Sequence, residues 1–402
     1  MSDGRRYGRR DVLKIGGGAL IAPAGYTVRS SAGENGAPSE RSAENSLVFA
    51  EYNIELLTTE KAQAENDEQL RAAAEVVQTV PEPDVLLVCE LDNNFQQGKN
   101  TRIHNGEAFL DNYLREPQRD DLSGVDFEYF YAPESNTGVP SGMDYYKSGE
   151  VTLEPGTDAY ANDCYGYGEY PGQYAMGIYS KYPIDPEGIR TFRKFRWKNV
   201  PNDKMPLSRE FDIYLTGAER KRFRLSSKTH ADVPIRIGDR TVHAVIAHPT
   251  PPVFDGPENL NGRRCHDENK LIGDLIRGEE YLYDDDGARG GLPTDEAFVL
   301  MGDMNAEPGE EENFDAATTH LLENPRINAE NMPTSEGGRE EGNEFITSDF
   351  GKQVDYVLPS MEFDVLDSAV VWPSEGTDRP AFLETVLQGS DHFMIWSELT
   401  LS

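Results

Sequence analysis

Residues 299–308 read VLMGDMNAEP, and Phe298 extends the apolar run that opens them. Such a run, ending in Gly-Asp-Met-Asn, reads as a buried strand that stops on a carboxylate and a carboxamide two residues apart. Gly, Asp and Asn all suit tight turns, so turn chemistry is the plainest explanation. The alternative is a pair of oxygen ligands aimed at a metal ion or a water. The rest of the chain has to choose between them.

Moving outward from this strand, similar endings recur. SLVFAEYNIELLT (46–58) alternates and then breaks, as a strand entering a sheet does, and carries Asn53. VLLVCE (85–90) closes on Glu90, TVHAVIAH (241–248) on His248, and AFVLMGD on Asp303, with Asn305 two residues on. QVDYVLP (353–359) holds Asp355, and GSDHFMIW (389–396) holds Asp391 and His392. YAMGIYSKYPI (174–184) reads as a further strand. NDEQLRAAAEVVQTV (66–80) predicts a helix capped by Asn66, with Gln69 as capping-box partner and Leu70, Ala73, Ala74 and Val77 on one face. RRCHDENKLIGDLI, from 263, opens a second helix with Leu271, Ile272, Leu275 and Ile276 facing inward.

Singly, each polar ending has a dull explanation: a turn cap, an ion pair, a structural histidine before PTPP. Their repetition carries the weight, because side chains at the ends of strands that share a sheet converge. Asp, Glu and Asn without cysteine ligands suit a hard, oxygen-seeking Mg²⁺ or Mn²⁺, with Ca²⁺ as a further option, rather than a structural zinc. The stretch between Glu90 and Tyr174 is rich in Tyr, Gly and Asp and carries no clear periodicity.

The totals narrow the class. The chain has 402 residues, 37% of them hydrophobic, enough for a sizeable core, and a formal charge of −34. Self-repulsion on that scale destabilises a compact chain unless ions screen it. Only 12 of the 38 basic residues are lysine, and acidic excess with few lysines reads as adaptation to molar salt, where the Debye length is about 3 Å. Cys89, Cys164 and Cys265 match no zinc spacing and leave one disulfide or none open. At the N-terminus, GRRDVLKIGGGALIAPAG pairs Arg9 with Arg10 ahead of a short, weakly apolar, Gly-rich stretch. That pattern resembles a twin-arginine export signal over 1–24, with Ala22-Pro23-Ala24 as the cleavage site and an extracellular or cell-surface destination. Its loss removes five basic and two acidic residues and takes the charge from −34 to −37. A Ser/Gly/Glu-rich linker over 25–45 then leads into one domain, 46–402. No later run is long and apolar enough to span a bilayer.

In the order Asn, Glu, His, Asp-x-Asn, Asp, Asp-His, the chain resembles the endonuclease/exonuclease/phosphatase superfamily, which includes deoxyribonucleases, exonuclease III-like repair enzymes, sphingomyelinases and inositol phosphatases. The matching pieces are YNI (52–54), VCE (88–90), AMGIYSKYPI, HAVIAHP, GDMNAEP, VDYVLPS and SDH (390–392). The resemblance implies an α/β (α+β) four-layer sandwich, two packed and mostly antiparallel β-sheets flanked by helices. It implies Glu90 as principal metal ligand with Asn53 and Asp391, and Asp303 with Asn305 orienting the attacking water and the phosphate. It places His392, backed by Asp355, on the scissile phosphoryl group and makes His248 a general acid. Cys89 stands before Glu90 where the family often has Gln.

The implied activity is a secreted, divalent-metal-dependent phosphoesterase, with an extracellular nuclease first and a phosphatase or phospholipid phosphodiesterase behind it. A non-catalytic extracellular binding protein on the same scaffold is the reading of another class, and the intact polar set speaks against it. Charge opposes nucleic acid as partner, yet RTFRKFRWK (190–198) and RKRFR (220–224) are basic islands interleaved with aromatics. They suit a stacked single strand, or a strand with a buried aromatic face. Arg263 and Arg264, in the loop expected after His248, are candidates for clamping a phosphate or for pairing with Asp267 and Glu268. No protein partner is implied. The charge predicts a thermal midpoint several degrees higher in 3 M than in 0.1 M KCl; an unchanged midpoint would remove the salt-adapted reading.

Overall fold

A computed structural model describes residues 13–14, 46–98, 103–208, 215–376 and 380–401. The export signal and linker expected over 1–45 lie outside the described residues, apart from the backbone of 13–14. Twelve strands are described: β1 (Leu13–Lys14), β2 (Ser46–Leu57), β3 (Val85–Leu91), β4 (Tyr129–Tyr131), β5 (Met176–Ser180), β6 (Arg190–Thr191), β7 (His230–Ile237), β8 (Arg240–Ala247), β9 (Ala297–Asp303), β10 (Asp355–Pro359), β11 (Phe363–Val370) and β12 (Ile395–Leu401). They form two sheets, ordered β1-β4-β5-β3-β2-β12-β11 and β10-β9-β8-β7-β6. Pairing is antiparallel except for β2–β3 and β8–β9, which are parallel. The expected sandwich of two mostly antiparallel sheets flanked by helices is what the chain forms.

The period of two along each strand sorts side chains between layers. On β9, Val299 and Met301 join the core between the sheets, whereas Phe298 and Leu300 pack outward with Leu271, Ile272, Leu275 and Ile276 of the Leu260–Arg277 helix. On β10, Val357 points in and Tyr356 and Leu358 point out by the same rule. Continued one step, the inward set reaches Asp303 and Asp355, register partners across β9 and β10. On β2 the inward set includes Asn53, whose register partner is Cys89 of β3. The apolar alternation that builds the core therefore delivers polar groups to one edge of the sandwich.

The predicted helices form, with adjusted ends. The first runs Glu68–Thr79 and is capped by Asp67, whose carboxylate accepts from Leu70 N at 3.0 Å. Asn66 does not cap it, and Gln69 instead donates to the carbonyls of Glu55 and Gly389. The second starts at Leu260, so Arg263 and Arg264 lie in its first turns rather than in a loop. All three cysteines are free and buried.

Gly302 has φ of +145°, and a Cβ placed there would stand 1.9 Å from the carbonyl oxygen of Ala247 on the neighbouring strand. Backbone conformation and close approach both demand glycine ahead of Asp303. Gly302→Ala is expected to destabilise the fold by about 3 kcal/mol or more, read as a lowered denaturant midpoint; a loss below about 1 kcal/mol would show that β8 and β9 yield there.

Candidate active site

Asp303 is the hub. Its Oδ2 accepts from Asn53 Nδ2 at 3.0 Å and from Asn305 Nδ2 at 3.2 Å, and lies 3.3 Å from His248 Nε2 and 4.0 Å from His392 Nε2. Its Oδ1 accepts from Asn305 N at 2.8 Å, a turn made possible by the left-handed φ of 48° at Asn305. His392 Nδ1 donates to Asp355 Oδ2 at 2.8 Å, and Thr347 Oγ1 donates to the same oxygen at 2.7 Å. Asp303, Asp355 and His392 present ligand atoms within 4.8 Å of one another. GDMN thus does both jobs the sequence offered, closing a turn and aiming oxygens.

Glu90 reaches the same edge differently. Alternation sends Cys89 inward, but φ of 61° at Glu90 takes the next residue out of the regular pleat. Its Oε2 accepts from Leu56 N at 3.1 Å, where a register shift between Asn53 and Leu57 bulges β2. Leu56, Glu90, Tyr174 and Asn305 all have positive φ, and such strain gathers at functional sites. Asp391 lies beside His392, and Ser390 Oγ ties this turn to β2 by donating to Asn53 O at 2.7 Å.

Burial sets the charge states. It pushes Asp303 up to about 7, with Asp355 adding to the rise, while His392, the Asn305 N–H and Lys228 oppose it. Burial also raises Glu90, against the Leu56 N–H, Lys228 and His392. For His392 burial pulls downward, but Asp355, Asp303 and Asp391 overcome it and hold the imidazole well above its ordinary value. For His248, burial first, then Lys228 and His392, push it well below the ordinary value, with Asp303 Oδ2 3.3 Å from its Nε2. Burial and its neighbours thus favour the neutral form of His248, whereas the carboxylates around His392 favour its imidazolium form.

Residues 50–392 match the sequence model of the Endonuclease/Exonuclease/phosphatase family. The chain belongs to that family. No curated protein matches it by sequence. Solved structures that resemble it include an endonuclease/exonuclease/phosphatase from Beutenbergia cavernae (14% identity, TM-score 0.46, 89% of this chain and 72% of that one). Others are the human Nocturnin catalytic domain (12%, 0.42, 89% and 95%) and sphingomyelinase C from Streptomyces griseocarneus (16%, 0.40, 88% and 99%). These scores lie below 0.5, so the family rests on the sequence match.

Members of the endonuclease/exonuclease/phosphatase family hydrolyse phosphoester bonds and use divalent metals, and the donor set here fits a hard cation. Asn53 Oδ1 and Asp355 Oδ1 are buried without a hydrogen-bond partner, and Asp303, His392 and Thr347 stand around the two residues. Asn53, His248, Asp303, Asn305, Asp355 and His392 are brought together at one edge, and the arginine pair is engaged elsewhere. Arg264 is buried and spends its guanidinium on the carbonyls of Leu225, Tyr165 and Arg224 and on the face of Phe223. Arg263 donates to the carbonyls of Glu258 and Lys204. Neither pairs with Asp267 or Glu268 by hydrogen bond, and both are tied to the protein's own backbone rather than presented to a phosphate.

Two groups escaped the sequence reading. Lys228, 7% exposed, donates from Nζ to Pro249 O at 3.1 Å, the same carbonyl that Asn305 Nδ2 meets at 3.2 Å. Burial lowers it, while Glu268, Asp303 and Glu90 pull it back up. Glu268 fixes its surroundings by accepting from Ser227 N at 2.5 Å and Thr250 N at 2.7 Å. The second is Glu51, two residues before Asn53 and on the same face, fully buried with neither oxygen hydrogen-bonded. Alternation with Asn53 was a signal that could have found it; nothing marked Lys228.

Burial, then Asp355 and Asp303, raise Glu51 well above the ordinary 4.5. The folded chain thus keeps a proton that the unfolded chain releases above that value. Its contribution to stability is fully present below the unfolded pKa and is lost as pH rises toward the folded one, at about 1.4 kcal/mol per unit. Glu51→Gln is expected to remove this slope, so that the variant gains on the parent between pH 5 and pH 8 in denaturant midpoints. Parallel curves would show that Glu51 ionises freely.

Proposed function

We propose that the chain is an exported, divalent-metal-dependent phosphodiesterase, and the observation that carries this is the Asn53–Asp303–His392–Asp355 constellation with its two unpartnered buried oxygens. Glu90, Asn53 and Asp391 would hold the cation. When bound, it supplies positive charge against the anionic ester and the charge that develops on oxygen. Asp303, held by Asn53 and Asn305, is the group placed to accept a proton from the attacking water. The P–O ester bond breaks as the P–O bond to water forms, and the departing alkoxide takes up a proton. His392, kept cationic by Asp355, is the donor at hand and also opposes negative charge on the phosphoryl oxygens. Lys228 adds a second fixed positive charge.

Which ester is cleaved follows from what surrounds the site. The extracellular nuclease ranked first by sequence depended partly on the basic islands, and three of their nine basic side chains are paired with carboxylates. Arg190 pairs with Asp284, Arg193 with Glu134 and Arg220 with Asp203. Phe192, Phe195 and Trp197 are 0% exposed, which is the buried-aromatic form of that stretch and leaves no stacking platform there. The phosphodiester class stands on the site alone, and the choice among DNA, a phospholipid and a small diester is left to substrate.

The test is turnover in molar KCl with Mg²⁺ or Mn²⁺ on plasmid, single-stranded DNA, a phospholipid, a generic phosphodiester and a phosphomonoester. EDTA is expected to abolish activity, and Glu90→Ala, Asp303→Asn and His392→Ala to lower kcat by about 10²-fold or more. Full activity in His392→Ala would overturn the assignment. Turnover of the monoester alone would replace the diesterase with a phosphatase.

A further inference from the structure

Behind the catalytic turn, two histidines meet that the hydrolytic chemistry does not use. His266 lies on the Leu260–Arg277 helix and His320 on the π-helical turn Ala317–Leu322. Their Nε2 atoms are 3.1 Å apart, and the rings cross at 79° with centroids 4.6 Å apart. His266 Nδ1 donates to Asp267 Oδ1 at 2.8 Å. Asp267 is itself immobilised, its Oδ2 accepting from Trp197 Nε1 at 2.5 Å and Lys204 N at 2.7 Å. Both imidazoles are 8% exposed.

This arrangement has the parts of a transition-metal site. A carboxylate that takes Nδ1–H fixes the tautomer and leaves the Nε2 lone pair outward, as carboxylate–histidine pairs do at metals. Two imidazole nitrogens on one tetrahedral ion, each about 2.0–2.1 Å away, stand about 3.3 Å apart, close to the spacing found here. Hydrogen bonding alone would explain the contact, with His320 Nε2–H donating to His266 Nε2. Three features go beyond that explanation: the Asp267 clamp, the π-turn that carries His320, and the cover over the pair. The edge of Phe314, 37% exposed, packs on His266 with centroids 5.7 Å apart, and Lys204 sits 4.3 Å over its ring. The charges near His320 are Lys270 and Arg277, and both are already paired with Asp274.

The geometry points to a second metal site, built from His266 Nε2 and His320 Nε2 and separate from the hydrolytic centre, that takes a borderline divalent ion such as Zn²⁺, Ni²⁺ or Cu²⁺ through imidazole. Binding needs no net loss of protons from the neutral pair: the proton on His320 Nε2 leaves and one is taken up at Nδ1, freeing the second lone pair. Solvent completes the coordination. Mg²⁺ is excluded by its preference for oxygen ligands.

The experiment uses the whole chain with saturating Mg²⁺, so that the hydrolytic centre is supplied with its hard ion, and titrates Cu²⁺ by calorimetry and by electron paramagnetic resonance. One ion per chain with coupling to two imidazole nitrogens is expected, absent in His320→Gln and in His266→Gln and retained in His392→Ala. Circular dichroism and melting confirm that the variants are folded. Should His320→Gln unfold, His320→Phe repeats the test with the ring volume kept. Binding that persists in folded His320 variants, or disappears in His392→Ala, overturns the proposal, as does no binding at micromolar Cu²⁺. Mg²⁺-dependent hydrolysis should be unchanged in His320→Gln, which separates this outcome from a failure of the phosphodiesterase reading.

Discussion

The site exists because two buried carboxylates face each other across β9 and β10. Asp303 and Asp355 are register partners, and like charges about 4 Å apart at an effective dielectric near 20 repel by about 4 kcal/mol. A strand pair cannot hold that in a dry edge without compensation, and the surrounding residues supply it. His392 bonds one carboxylate and stands 4.0 Å from the other. Asn53 and Asn305 donate to Asp303 from opposite sides in sequence. Lys228 brings positive charge from the loop before β7, and Glu268 holds that loop in place. The remaining repulsion shows as a carboxyl raised toward neutrality, which suits the proton acceptor proposed above.

Much of this was legible in the sequence, for a definite reason. Strand ends can be read from apolar runs: TVHAVIAH and AFVLMGD close where their text changes from apolar to polar, and VLLVCE runs one residue further, to Leu91. A residue at such an end belongs to the site because β-pleat alternation continues through it, as with Asp303 after Met301. Most of what failed had no periodic signal. Lys228 sits in SSKTH, before a strand that was not recognised, and only tertiary packing brings it to Pro249. Glu51 shares its face with Asn53, but a charged residue inside a largely apolar strand is more readily assigned to solvent. Arg263 and Arg264 follow a Pro- and Gly-rich segment, and the helix expected from 263 begins earlier, at Leu260, which carries both into its first turns. The basic islands misled in the opposite sense: alternation of Arg with Phe and Trp is what a half-buried segment requires, and burial of the aromatics leaves the arginines to pair with the chain's abundant carboxylates.

The two histidines of the site show why residue type alone could not assign their roles. His248 and His392 approach the same oxygen of Asp303, at 3.3 and 4.0 Å. Both are nearly fully buried, so desolvation pushes each toward the neutral form. The difference lies in what each meets on its far side. His392 has Asp355 on Nδ1, whereas His248 Nδ1 is buried with no partner and Lys228 acts against its protonation. One carboxylate and one ammonium thus push two similar imidazoles in opposite directions. A site that handles protons gains from such a division, because donor and acceptor are then distinct before substrate arrives. The order of residues along the chain brings both histidines into the resemblance; their partners in space distinguish their environments.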